Sequence, residues 1–107
     1  MPFCDIQNRP KKELLPGLRV QSFWGEQMLA ITVELDADTI VPEHSHPHEQ
    51  VGTVIAGELS LTLDGETRRL QPGDVYIIPG DVPHSAEAHA DTRLFELFSP
   101  VREEYKY

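Results

Sequence analysis

HSHPHEQVGTVIAG, residues 44–57, crowds three of the chain's five histidines into five positions and runs directly into a β-branched, alternating segment. In an extended chain, residues two apart project to the same side, so His44 and His46 are predicted to face one pocket. Gln50 lies beyond the break at Pro47, where the chain can turn back and offer its amide oxygen as a neutral ligand. The next histidine, His84, closes PGDVYIIPGDVPH at 72–84, behind another apolar run. Three imidazoles and one amide oxygen leave coordination positions open to water or substrate, the mark of a catalytic rather than a structural metal site.

The same period-two pattern extends outward in both directions. LRVQSFW (18–24), MLAITVEL (28–35), QVGTVIAG (50–57), ELSLTLD (58–64), DVYIIP (74–79) and TRLFELFS (92–99) all alternate, and helical periodicity is nearly absent. Asp64-Gly65 is a two-residue hairpin signal joining ELSLTL to TRRLQ, while Gly73-Asp74 and Pro79-Gly80-Asp81 punctuate the next segment. Nine prolines and seven glycines fall mostly between the runs, as a barrel or sandwich requires. The expectation is all-β, a barrel or sandwich, in one domain over residues 1–107 with its core at about 18–100. The first 17 residues read as an arm or an edge strand, and the tail REEYKY as a one-turn helix or a strap.

Composition narrows the partners. Nine basic against eighteen acidic side chains give a formal charge of −9, which repels phosphate backbones and anionic lipid, so neither nucleic acid nor membrane is expected. No window is apolar enough to span a bilayer and the start lacks a secretory h-region, which predicts a cytoplasmic location. Cys4 stands alone, so no intrachain disulfide can form. Small open barrels leave strand edges that a second copy would cover, and a homodimer is therefore expected.

PEHSHPHEQVGTVIAG (42–57), followed after a hairpin by PGDVYIIPGDVPH, resembles the paired signature of the cupin superfamily, a small antiparallel double-stranded barrel of jelly-roll type. The resemblance puts His44 and His46 on the first two ligand histidines, Gln50 on a position usually held by glutamate, and His84 on the histidine of the second motif. Gly57, Gly73 and Pro79 fall on turn positions, and Asp38 and Asp81 stand where glycine is common. Further on, ELFSPVREEY (96–105) is similar to the pectin-degradation cupins of the KdgF type, which open 4,5-unsaturated uronates to linear keto forms. That resemblance implies functional roles for Glu96, Phe98 and Arg102, with glutamate where the family often has aspartate.

These roles are chemically coherent. Glu96 and Phe98 share strand parity, so both are predicted to face the pocket, one as general acid or base and the other as an apolar wall. Arg102 supplies a planar two-donor fork for a substrate carboxylate. The implied cofactor is one divalent transition metal, with Zn, Ni, Fe, Mn and Cu all compatible with the ligand set.

Other readings of the same residues stay open. Gln50 is equally an ordinary hydrogen-bonded glutamine, Glu96 an ion-pair partner of Arg93 or Arg102, and Arg102 a surface partner of Glu103 or Glu104. His48 is read as a rim or supporting residue, His89 as a solvated loop residue, Trp24 and Tyr76 as core or barrel mouth, and one of Arg68 and Arg69 as exterior. For the whole protein the alternatives are a metal-dependent dioxygenase and a non-catalytic sugar or metabolite sensor.

Overall fold

A computed structural model describes residues 3–107. Ten strands run in order: β1 Lys12–Leu15, β2 Leu18–Trp24, β3 Leu29–Leu35, β4 Ile40–His44, β5 Glu49–Ala56, β6 Leu59–Leu63, β7 Glu66–Leu70, β8 Val75–Ile78, β9 His84–Ala88 and β10 Thr92–Ser99, with a 3₁₀ turn at Glu103–Tyr105. They form two sheets, β1-β2-β3-β10-β5-β8 and β4-β9-β6-β7, whose inner faces close on one another as the expected all-β barrel. No helix of the described residues is long and apolar enough to cross a membrane.

Alternation in the sequence becomes alternation of burial. Along β3 every second residue is buried (Leu29, Ile31, Val33, Leu35), and β10 buries Thr92, Leu94, Glu96 and Phe98 in the same rhythm. Pairing then stacks these inward residues in rows. Leu94 pairs with Val33, which pairs with Val20, and one row on Thr92 pairs with Leu35 and Leu35 with Leu18. Leu59 and Leu61 of the opposite sheet, with Val54 and Ala88, complete an apolar end of the barrel. The rows through Glu96 and Phe98 belong to the other end, where the chemistry of the inward residues changes.

Turn geometry derives from residue type. Asp64 and Gly65, at φ 48° and 85°, form the tight link between Leu63 and Glu66, a conformation that matches strand twist and demands residues tolerant of positive φ. Asp38 and Asp81 also sit at φ 70° and 68°. A short polar side chain makes aspartate one of the few residues that accept this region, so both substitutions for glycine keep their turns.

Four strands lie outside the six alternating runs, and one of them, β7, is the partner expected across the Asp64-Gly65 hairpin. β1 resolves the N-terminal ambiguity in favour of an edge strand, whereas β4 (IVPEH) and β9 (HSAEA) carry no apolar alternation and take their extended form from pairing with each other. Arg68 and Arg69 correct an expectation, because both are exposed. β7 is the outer edge of its sheet, and Arg69 pairs with Glu58 while Arg68 pairs with Glu66.

Candidate functional site

The register sets His44 of β4 directly opposite His84 of β9, so two imidazoles meet across one strand pair, with ring centroids 4.2 Å apart. His46 is not on the strand: it lies in the connection from β4 to β5, and its ring turns inward to 5.0 Å from that of His84. One nitrogen from each of the three falls within 4.8 Å of the others. The Gly80–Asp81 turn holds this connection from outside. Asp81 N–H donates to the His46 carbonyl at 2.7 Å, and a Cβ on Gly80 would stand 2.5 Å from the Pro47 carbonyl oxygen.

Every one of the three rings is oriented by a backbone carbonyl. His44 Nδ1 faces Pro42 O at 2.9 Å, His84 Nδ1 faces Val82 O at 2.9 Å, and His46 Nδ1 faces His48 O at 3.0 Å. A carbonyl only accepts, so each Nδ1 carries the proton and each Nε2 presents a lone pair to the interior. His48 thus supports His46 through its main chain. Burial, followed by the charge of Arg102, holds the His46 pKa below the usual imidazole range, and burial does the same for His84. Both rings are kept in the neutral, ligand-ready form.

Two details match a cation. His84 Nε2 is buried and has no hydrogen-bond partner. Gln50 Oε1 stands 3.0 Å from His46 Nε2, and Gln50 also favours the charged form of Glu96. With His46 neutral, that contact sets two acceptors against each other, an arrangement a shared positive ion relieves. The oriented histidines, the orphaned lone pair and the neutral amide oxygen fit one divalent transition metal.

Opposite this cluster, β10 supplies the remaining groups. Glu96 is only 9% exposed, and its Oε2 accepts a 2.6 Å hydrogen bond from the Tyr76 hydroxyl. Burial pushes the Glu96 pKa up, against the opposing pull of Tyr76, Gln50 and the Arg102 charge. Phe98 is buried with its ring edge-on to His46 at 5.5 Å. The C-terminal segment then crosses the barrel mouth, tied to β2 by Tyr107 N–H donating to Ser22 Oγ at 3.3 Å. Within it the Arg102 guanidinium lies 4.0 Å from the Tyr105 ring centre and 5.2 Å from that of Phe98. Its side chain is 11% exposed, and its nearest carboxylate, Glu104, is 3.6 Å away, too far for a hydrogen bond.

The structure therefore gathers His44, Gln50, His84, Glu96, Phe98 and Arg102 around one cavity that opens to solvent. His46 joins them through His84 and Gln50. Among the described residues Glu96 forms no ion pair with Arg93, while Arg102 is drawn inward and still faces Glu104 at 3.6 Å, the partner the alternative reading named. His89 differs from expectation: it is half-buried and its Nε2 lies 2.6 Å from Ser60 Oγ. Tyr76, read from the sequence as core or barrel mouth, is a buried wall of the cavity, and Tyr105, the other aromatic wall, had no sequence signal of its own. Tyr76 has inward parity in DVYIIP, but which residue it meets depends on register, and Tyr105 lies in a tail without periodicity.

Comparisons with known proteins agree with this fold. The cupin domain family matches residues 31–99. The pectin degradation protein KdgF of Dickeya dadantii is 27% identical over 99 residues, 90% of each chain. Among solved structures, KdgF from Halomonas sp. superposes with a TM-score of 0.90 at 30% identity, covering 97% of both chains. An RmlC-like cupin from Shewanella frigidimarina superposes with a TM-score of 0.93 at 27% identity, over 98% of this chain and 96% of the other.

Proposed function

The chain belongs to the cupin family, and from that footing we propose that it opens the ring of a 4,5-unsaturated uronate, or a closely related acidic sugar, with the help of one divalent metal. The observation that carries this reading is the pairing, in one cavity, of a buried carboxyl of raised pKa with a buried arginine fork, facing three oriented histidines. Similarity over nearly the whole chain to the pectin degradation protein KdgF of Dickeya dadantii, and to KdgF from Halomonas sp., supports it.

Opening such a ring moves one proton from the anomeric hydroxyl and delivers one to the enol carbon as the ring C–O bond breaks, an isomerisation without oxidant or reductant. Held at His44, His46, His84 and Gln50, a divalent ion supplies Lewis acidity toward a sugar oxygen. Glu96 takes and returns the proton: burial raises its pKa, so it holds a proton more readily than an exposed carboxyl does. Arg102, stacked on Tyr105 and Phe98, presents its fork to the uronate carboxylate. Phe98 gives the sugar ring an apolar wall and excludes water. A carboxyl and a guanidinium inside the cavity weigh against the dioxygenase reading, which calls for an apolar pocket for O₂.

The test is loss of the ultraviolet absorbance of the conjugated uronate on adding metal-replete protein, beside a chelator-treated sample. Metal-dependent loss faster than the spontaneous reaction is expected; no acceleration with metal still bound would remove this reading.

We also propose that the chain pairs with a second copy through the outer face of β10, β5 and β8. There the rows Phe95–Thr53–Val75 and Leu97–Val51–Ile77, with Ile55, carry no charge, and β8 is a sheet edge. Val75, Ile77 and Ile55 are all more than half exposed. For two chains of charge −9, an uncharged face is where contact costs least repulsion. Sedimentation velocity should give a dimer for the protein and a monomer for Ile77→Lys; a monomeric parent chain would overturn the pairing.

A further inference from the structure

Glu96 of β10 pairs with Gly52 of β5, and Gly52 pairs with Tyr76 of β8, so the three form one inward row across three strands. Residues two strands apart stand about 9.5 Å from each other at the backbone, and an ordinary side chain between them would keep them separate. Here the middle residue has none. A Cβ on Gly52 would lie 2.4 Å from Tyr76 Cζ and 2.5 Å from its hydroxyl oxygen, so the phenol ring occupies the slot that glycine leaves open. Through that slot the hydroxyl donates to Glu96 Oε2 at 2.6 Å, a short contact between groups that are 6% and 9% exposed.

One carboxyl oxygen is thereby tied down. Proton transfer needs the acting oxygen held within hydrogen-bond reach of the substrate, and a displacement of about 1 Å can cost about 10²-fold in rate. Glutamate has enough rotatable bonds to wander by that much, and the Tyr76 tether removes the freedom. We infer that Tyr76, reaching through the gap at Gly52, is a positioning residue that fixes the Glu96 carboxyl in one orientation, with Oε1 as the oxygen that serves the cavity. Its effect on turnover rests on the ring-opening reading; the tether itself does not.

The test therefore has two readouts. Tyr76→Phe keeps the ring and removes the donor, and it should lower kcat by about 10- to 100-fold with KM changed less than about 3-fold. Added to Glu96→Gln, the same change should lower kcat little further, whereas a tyrosine that merely supported the barrel would add its full effect. The second readout needs no substrate: with glutamate carboxyls ¹³C-labelled, the signal absent from Glu96→Gln should move in Tyr76→Phe. It should move likewise in Gly52→Ala, provided that variant keeps the β spectrum of the parent. Unchanged kcat in Tyr76→Phe overturns the inference even if the signal moves, and so does additive loss in the double variant. If the unaltered protein does not turn over the uronate, the ring-opening reading falls by itself. The carboxyl signal alone then decides the tether: moved by Tyr76→Phe, it stands; unmoved, it is wrong.

Discussion

The two ends of this barrel are made by the same strands under the same alternation, yet only one of them adds titratable side chains to its buried apolar ones, Leu29, Ile31 and Ile78. On β10, Thr92 and Leu94 point into an end packed by Leu18, Val20, Val33, Leu35, Leu59 and Leu61, while Glu96 and Phe98 point into the end that gathers histidines, glutamine, tyrosine and arginine. Parity decides only that a residue goes inside. Which end it reaches, and whom it meets there, sets whether burial stabilises the fold or shifts a pKa. Leu18, Val20, Leu59 and Leu61 nevertheless line the same cavity as His44, His84 and Glu96, so the two ends share a wall.

The largest expected effect would separate the two ends outright. His44→Ala combined with His84→Ala should reduce bound metal by elemental analysis from one ion per chain to background, while the β signature in circular dichroism survives. Full occupancy in that variant would remove these residues from the site. At the other end, Leu59→Ala deletes a side chain that is 1% exposed and should cost about 2–5 kcal/mol in denaturant unfolding without lowering metal content. If metal were lost in step with stability at native conditions, the ends would not be independent.

Glu96→Gln is a finer probe. It should retain the metal and lower turnover by about 10²-fold, equivalent to about 2.7 kcal/mol of barrier. Normal turnover would exclude the carboxyl as the proton carrier.

The same variant carries a smaller, pH-dependent effect. Burial raises the Glu96 pKa from 4.5, so at pH values between 4.5 and the raised value the folded chain keeps a proton that the unfolded chain has released. Linkage then makes stability fall as pH rises through that window. The buried, neutral His46 and His84 act in the opposite sense, losing stability as pH falls below the ordinary imidazole range, but they are common to both proteins. In metal-free samples, the melting temperature of the parent minus that of Glu96→Gln should decline as pH rises from about 4.5. A flat difference would mean that Glu96 titrates as an exposed carboxyl.

The smallest effect belongs outside both ends. Arg68→Ala on the exposed edge strand β7 should change stability by less than about 0.5 kcal/mol in the same denaturant titration, since its ion pair with Glu66 is solvated. A larger loss would mean that the edge is more than a solvated margin.

Much of this organisation is legible in the residues alone. Alternating runs at 18–24, 28–35, 50–57 and 92–99 are strands with bounds shifted by one residue at most, because period-two burial is a local property of the chain. Asp64-Gly65 announces its hairpin for the equally local reason of positive φ. His44, His46 and His84, singled out by their spacing, do come together, and Gln50, Glu96, Phe98 and Arg102 line the cavity beside them. β4 and β9 escape such a reading because nothing in IVPEH or HSAEA alternates; they are extended because they pair with each other.

Local chain chemistry thus settles which residues face inward and which turns must bend, since both depend on neighbours one or two positions away. Who meets whom is settled only by tertiary packing. The β4–β9 register sets His44 against His84, and the β10–β5–β8 register lines up Glu96, an empty glycine position and Tyr76. The C-terminal crossing brings Arg102 over Phe98 and Tyr105. Register is a property of pairs of strands far apart in the chain, fixed when the whole set of inward rows packs together, and no single segment encodes it.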